Sequence, residues 1–261
     1  MSCGLVYDRE LSIKQALVAR SLDMVEQRTR MHAALDLQPG DRVLEIGSGN
    51  GIMVGEMAAS VGPGGSVTGV DKSPAMVAMA RDLCAALVNV EFMQADAADL
   101  PYAGGSFDVV TATQCLCLVA DVEAAVGEIS RVLKPGGRAV ILETDWDTLV
   151  WNCTEPRLMD KIMAIYKDVY TDARLPRRLS RLLKRAGLDI RGRDQFAMLN
   201  WTFDPDTYSG HQIDFTRGLV ENHHVLSAGE LEAWLQSIRM AAEADEYFFS
   251  LNRYIFSAVK P

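Results

Sequence analysis

The strongest chemical signal in the chain is a glycine run set between carboxylates. Glu45-Ile46-Gly47-Ser48-Gly49-Asn50-Gly51 is followed by Asp71, twenty residues past the last glycine. Glycine tolerates backbone conformations closed to other residues and lets a main chain lie against a ligand with no side chain between. A carboxylate at the end of the following strand can accept both hydroxyls of a ribose. A dinucleotide would ask for Gly-x-Gly-x-x-Gly, with its pyrophosphate on the helix N-terminus. Here the third glycine comes one position early, and Glu45 stands two residues before the first. A carboxylate there repels a pyrophosphate and favours a cation. The spacing therefore points to a nucleoside that carries positive charge and no phosphates.

The elements around this run fit such a corner. Val43–Ile46 is a short β-prone run and Ile52–Val61 a helix, closed by Gly62-Pro63-Gly64-Gly65. Ser66–Val70 is the next strand, and Ser73-Pro74 opens a helix with Met76, Val77, Ala80, Leu83, Cys84 and Leu87 on one stripe. Strands are expected at Val90–Gln94, Phe107–Ala112 and Arg138–Glu143, with a helix over Asp121–Leu133 stopped by Lys134-Pro135-Gly136-Gly137. Such alternation means a parallel sheet covered by helices on both faces.

Upstream, Leu11–Leu37 has helical spacing, with Ala16, Leu17, Leu22, Val25 and Met31 as its apolar positions, broken by Pro39-Gly40. Downstream, helices are expected over Glu155–Asp172, Pro176–Ala186, Pro205–Asn222 and Ser227–Ala244, and strands over Leu188–Phe203 and Tyr247–Val259. With no linker in sight, the expectation is one domain: an N-terminal helical lid at 1–38, a core at 39–150 and substrate-side helices at 151–261. The late helical pair, about 204–245, forms a cap.

Composition narrows the classes. The chain has 261 residues, 49% hydrophobic and 23% charged, and 26 Lys and Arg against 35 Asp and Glu leave a net charge of −9. That balance argues against a partner made of nucleic acid. No stretch approaches the roughly 18 uncharged apolar residues of a membrane span. The first ten residues lack a basic start before an apolar run, and five cysteines are an odd number for a disulfide scaffold. A cytoplasmic protein, monomer or homodimer, is expected. Paired Cys-x-x-Cys and His-Glu-x-x-His patterns are absent, so no metal site is expected.

Taken together, Glu-x-Gly-x-Gly-x-Gly, Asp71, Ala95-Asp96-Ala97, Phe107-Asp108-Val109-Val110 and Arg131-Val132-Leu133-Lys134-Pro135-Gly136-Gly137 resemble the class I S-adenosylmethionine-dependent methyltransferases. More narrowly they resemble the small-molecule branch that includes the ubiquinone and menaquinone C-methyltransferases, over roughly residues 39–145. The resemblance implies a Rossmann-like α/β sheet and S-adenosylmethionine as cofactor, with S-adenosylhomocysteine as product and a small organic molecule as methyl acceptor. It implies that Gly47, Ser48, Gly49 and Gly51 line the methionine and ribose, near Glu45, and that Asp71 holds the ribose diol. Lys72 and Met76 would flank the adenine, Asp96 would accept its amino group beside Ala97, and Thr113 and Gln114 would face the sulfonium. Arg28, on the lid, is the candidate for the methionine carboxylate.

Methyl transfer from a sulfonium is an in-line displacement that needs positioning and, for some acceptors, removal of a proton. Glu143-Thr144-Asp145-Trp146-Asp147 puts acids and an aromatic after the fifth strand. That suits an amine-bearing acceptor or a hydroxyl needing a base; alternatively Trp146 and Trp151 are core. Of the four histidines, His32 is expected at the surface, while His211, His223 and His224 fall in the cap near Tyr208, Asp214 and Glu221. These three and Asp145 are the candidate proton acceptors. The run Arg174, Arg177, Arg178, Arg181, Lys184, Arg185 reads as an amphipathic helix with a solvated cationic face, or else as a patch for an anionic partner. Three rivals stay open: an arsenite-type methyltransferase using Cys115, Cys117 and Cys153, a noncatalytic cofactor-binding module, and a nicotinamide oxidoreductase.

Overall fold

The computed structural model describes residues 17–261. In chain order its elements are α1 (Leu22–Leu35), β1 (Arg42–Ile46), α2 (Ile52–Val61), β2 (Ser66–Asp71), α3 (Pro74–Leu83), β3 (Val90–Gln94), β4 (Phe107–Thr113), α4 (Val122–Val132) and β5 (Leu133–Thr144). They continue with β6 (Val150–Trp151), α5 (Pro156–Val169), α6 (Pro176–Arg185), β7 (Asp189–Asn200), α7 (Tyr208–His223), α8 (Ala228–Glu243) and β8 (Phe249–Val259). The eight strands form one mixed sheet in the order β3-β2-β1-β4-β5-β8-β6, with β7 on the other side of β8. The first five strands are parallel, and β8 runs antiparallel to β5, β6 and β7. Strand order reverses at β1, between β2 and β4, and the glycine run leaves the carboxyl end of that strand. Such a switch point is where open α/β sheets bind ligands.

The strand pleat sorts the core into two layers, because successive side chains point to opposite faces. Val43, Val109, Val140 and Ile255 pack with Met31 and Leu35 of α1, Met57 of α2 and Ala80 of α3. Leu44, Val110, Ile141 and Phe256 face the other way, onto Val126 and Ile129 of α4 and Leu179 and Leu183 of α6. A third apolar cluster joins Trp146, Trp151, Tyr166 and Trp234 to Phe249 and Leu251, and roots α5, α7 and α8 on the end of β8. Helix starts follow their sequence signals. Ser73 caps α3 ahead of Pro74, Asp121 caps α4, and Ser227 and Glu230 form a reciprocal capping box at α8.

Three local expectations change. The helix stops before Lys134-Pro135-Gly136-Gly137 as expected, but that segment already belongs to β5, whose start was expected only at Arg138, with Leu133 paired to Phe107 and the Gly136 N–H donating to the Lys260 carbonyl at 2.8 Å. The lid is bent at residues 19–21, with Leu17 and Val18 helical before the bend and α1 running on from Leu22, and of the expected apolar positions among the described residues only Met31 is buried. Leu17, Leu22 and Val25 are exposed, while Val18, Gln27, Met31 and Leu35 are buried. Ala16 lies outside the described residues. A glutamine takes an inward position because Arg253 meets it there.

Candidate functional site

The corner after β1 is built by glycines in left-handed conformations, two of them with no room for a side chain. Gly47, Gly49 and Gly51 have φ of +73°, +51° and +82°. A Cβ on Gly47 would lie 2.5 Å from the Cβ and Sγ of Cys115, and one on Gly51 would lie 2.9 Å from the Ala80 Cβ. The N–H groups of Gly47 and Ser48 both donate to the Val70 carbonyl, at 2.8 and 2.9 Å, which pins the turn to the end of β2. Asp71 closes the cradle: its carboxylate accepts from the Gly49 N–H at 2.9 Å and from the Ser73 N–H at 2.8 Å. Burial pushes this carboxyl above its ordinary range, and the backbone donors pull against that.

Glu45 lies beneath, 3% exposed, and its Oε2 has no hydrogen-bond partner. Burial, then the charges of Asp71 and Glu56, pushes its pKa well up. A buried carboxyl without a partner is costly, and a ligand cation would relieve it. Asp96 accepts from the Ala98 N–H and from the Lys72 ammonium, both at 3.0 Å, and is held below the usual carboxylate range by them in that order. Met76 and Ala97 are buried on either side of the same strand ends.

At the end of β4, the Thr113 hydroxyl contacts the Met53 sulfur at 3.8 Å, and Gln114 adopts a left-handed φ of +55°. Beneath this loop Glu143, fully buried, accepts from the N–H groups of Cys115 (3.1 Å) and Leu116 (2.7 Å). Burial raises its pKa to about 7, against the opposing pull of Cys117 and the backbone donors. The thiols of Cys115 and Cys117 are pushed well up by burial and by Glu143. Among the described residues no group of His, Cys, Asp and Glu could hold a metal ion.

The acceptor-side expectations fare differently. Asp145 gives both carboxylate oxygens to Arg177, at 2.6 and 3.0 Å, and caps the turn through the Asp147 N–H at 3.2 Å. It is an anchor and not a free base. His223 and His224 stand at the far end of α7, whose first residue, Tyr208, lies under Arg253. Fifteen residues of helix separate them, about 22 Å at 1.5 Å per residue. His211 lies in the first turn of the helix. Arg28 is spent elsewhere: it pairs with Glu56 of α2 at 2.9 Å and donates to the Ala19 carbonyl at 2.6 Å, so it locks the lid and does not reach the glycine loop. His32 shares Glu56, at 3.1 Å. Trp146 is buried and stacked between Tyr166 and Tyr170, and Trp151 is buried too, so both tryptophans are core. Within the basic run, Arg174 and Arg177 join Lys167 on Asp145 and Asp147, and Arg178 pairs with Asp172, while each of these arginines stays about half exposed.

Sequence reasoning missed Arg253. It is 3% exposed and donates to the Thr144 hydroxyl at 3.1 Å and to the Gln27 side-chain oxygen of the lid, with the Tyr208 ring 4.8 Å away. Its position between Leu251 and Ile255, at the inward phase of β8, was the available signal.

Comparison with known proteins agrees with this geometry. A methyltransferase-domain family model matches residues 44–141. The demethylmenaquinone methyltransferase of Staphylococcus aureus is 38% identical over 122 residues, 47% of this chain and 51% of that protein. The chain thus spans about half the length of that curated relative. A methyltransferase structure from Bacillus halodurans superposes with a TM-score of 0.65 at 18% identity, covering 90% of this chain and 99% of the other. A phosphoethanolamine N-methyltransferase from Haemonchus contortus, in complex with phosphomonomethylethanolamine and S-adenosylhomocysteine, gives 0.62 at 21% identity, over 98% of this chain and 58% of the other. At these identities the two structures establish the fold. The glycine corner, its acid partner and the strand order agree with the family match: residues 44–141 are similar to a methyltransferase domain, and the sheet has the Rossmann-like fold of the class I S-adenosylmethionine-dependent methyltransferases.

Proposed function

We propose that the chain is an S-adenosylmethionine-dependent methyltransferase acting on a small organic molecule. The carrying observation is the pairing of Asp71, tied to the glycine loop through Gly49, with the buried carboxyl of Glu45, whose Oε2 has no hydrogen-bond partner. The first suits a ribose diol and the second a cation. The buried carboxyl of Glu45 beneath the loop disfavours a diphosphate there. S-Adenosylmethionine supplies an electrophilic methyl on sulfur, which passes to an O, N or C atom as the carbon–sulfur bond breaks and its electron pair stays on sulfur.

The chain's residues do the rest. Gly47, Ser48, Gly49 and Gly51 would line the methionine and ribose, Asp71 would accept the diol, and Lys72, Met76, Asp96 and Ala97 would hold the adenine. Thr113 and Gln114 would face the methyl. The lid helix α1 and the cap helices α7 and α8 would exclude water, in one domain running from lid to cap. Where the acceptor must lose a proton, His211 is the remaining candidate base. No described helix is long and apolar enough to cross a membrane, and Cys84, Cys115, Cys117 and Cys153 stand as free thiols, which supports a cytoplasmic enzyme. Its assembly is proposed as monomer or homodimer.

Calorimetry with S-adenosylhomocysteine in two buffers of different ionisation enthalpy tests this reading. Binding should release protons as Glu45, whose pKa burial raises, ionises beside the ligand's ammonium. A flat titration, or binding of reduced nicotinamide dinucleotide in its place, contradicts it.

A further inference from the structure

A chain of hydrogen bonds runs from the lid to the cofactor corner, and its polarity is fixed by one residue. Arg253 pairs in register with Thr144, the last residue of β5. Every partner that the structure gives its buried guanidinium is neutral: the Thr144 hydroxyl at 3.1 Å, the Gln27 oxygen, the Met24 sulfur at 3.3 Å and the Tyr208 ring at 4.8 Å. A guanidinium can only donate. The Thr144 oxygen therefore accepts from Arg253, and its own proton goes to the Gln114 side-chain oxygen at 2.6 Å. That length belongs to O–H···O bonds and is short for N–H···O. Gln114 is thus held by its oxygen, and its Nε2 is left buried with no hydrogen-bond partner.

Two further observations place this donor at the junction of the cofactor and acceptor sides. Gln114 sits in a left-handed conformation that a non-glycine residue rarely adopts, anchored by its N–H on the Leu142 carbonyl at 2.8 Å. Its neighbour Cys115 is packed directly against Gly47. The acids that could have served an amine, Asp145 and Asp147, are already spent on Arg174, Arg177 and Lys167.

We infer that the Gln114 amide N–H receives an oxygen of the methyl acceptor, and that Thr144 and Arg253 are positioning residues that fix which end of the amide is presented. The inference rests on the methyltransferase reading and gives it a substrate class. The acceptor carries a hydroxyl, phenolate, carbonyl or carboxylate oxygen near the atom that takes the methyl. A bare amine, which offers donors to a donor, is disfavoured by the same geometry.

The test uses the full chain, nitrogen-15 labelled and saturated with S-adenosylhomocysteine, with saturation checked by calorimetry. The side-chain amide signals of Gln114 are assigned by their loss in Gln114→Leu. Two probes of similar size are added, 4-hydroxybenzoate and benzylamine. The Gln114 amide signals should move with 4-hydroxybenzoate and stay still with benzylamine. Thr144→Val, which keeps the side-chain shape, should weaken the response several-fold, and Thr144→Ser should restore it. Signals silent to 4-hydroxybenzoate, an equal response to benzylamine, or an unchanged response in Thr144→Val overturns the inference. Failure to bind S-adenosylhomocysteine at all sinks the methyltransferase reading instead, so the two failures are told apart on one sample.

Discussion

Cys115 occupies the space that a side chain on Gly47 would need. The Cβ that any other residue would add lies 2.5 Å from both the Cβ and the Sγ of Cys115, and the backbone of Gly47 is left-handed at φ +73°. The loop after β1 and the loop after β4 are therefore one packed unit, and the cofactor corner exists only while both keep their shape.

Gly47→Ala should destabilise the fold by about 1–3 kcal/mol, the usual range for overpacking and for a strained left-handed residue. Urea unfolding followed by circular dichroism measures it. The same variant should lose most of its affinity for S-adenosylhomocysteine, because the loop must shift to admit the methyl group. Wild-type stability in Gly47→Ala would show that the two loops are not coupled.

Asp71→Ala removes the proposed ribose acceptor. Hydrogen bonds to a charged group are worth about 1.5–3 kcal/mol each, and 1.4 kcal/mol is tenfold in affinity. S-Adenosylhomocysteine binding should weaken by roughly 10- to 100-fold. Asp71→Asn, which keeps one oxygen, should fall between the two. Calorimetry reads all three proteins.

Stability should fall as pH rises through the neutral range. The folded-state pKa of Glu143 is about 7, against 4.5 for an ordinary glutamate. Between those values the native state holds a proton that the unfolded chain has lost, so the slope of unfolding free energy with pH is negative. Below the lower value the contribution is fully present, and above the upper it is gone. Glu45, raised in the same direction by burial, adds to the slope. Glu143→Gln should flatten the profile between about pH 5 and 8, by roughly 1–3 kcal/mol across the window. Melting temperatures at several pH values check the sign, and a profile that rises with pH in wild type contradicts the account.

Asp145→Asn should damage stability and spare binding. Asp145 is 4% exposed and holds Arg177 by two bonds of 2.6 and 3.0 Å. Its loss weakens the tie between the start of α6 and the turn after β5, leaving Asp147 to hold Arg177 at 2.9 Å. Unfolding should become easier by about 1–3 kcal/mol, since a buried ion-paired group loses its charge. S-Adenosylhomocysteine affinity should stay within about threefold, roughly 0.6 kcal/mol. A loss of binding with stability intact would return Asp145 to the site.

The fold was legible because its signals are local. The glycine run, Asp71 and the Ser73-Pro74 helix start each carry their geometry in adjacent residues, and α2 and β3 span the expected residues. What stayed hidden depends on pairings across long separations. Gln27 looks like a polar helix position until Arg253, 226 residues away, is brought against it. Asp145 looks like a free acid until Arg177 arrives, and Arg28 looks like an open cation until Glu56 takes it. Helix spacing alone gave the lid the wrong face, because a glutamine's burial is decided by its partner and not by its polarity. The His223-His224 pair drew notice as titratable groups in the cap, and only the direction of α7 set them at its far end.

The most direct test of the central claim is a crystal structure of the chain with S-adenosylhomocysteine. The account predicts the ribose hydroxyls within about 2.6–3.2 Å of the Asp71 carboxylate, the ammonium near Glu45, and the sulfur facing Gln114. A ligand bound away from the Gly47–Gly51 loop, or a diphosphate lodged in that corner in preference to it, would contradict the account.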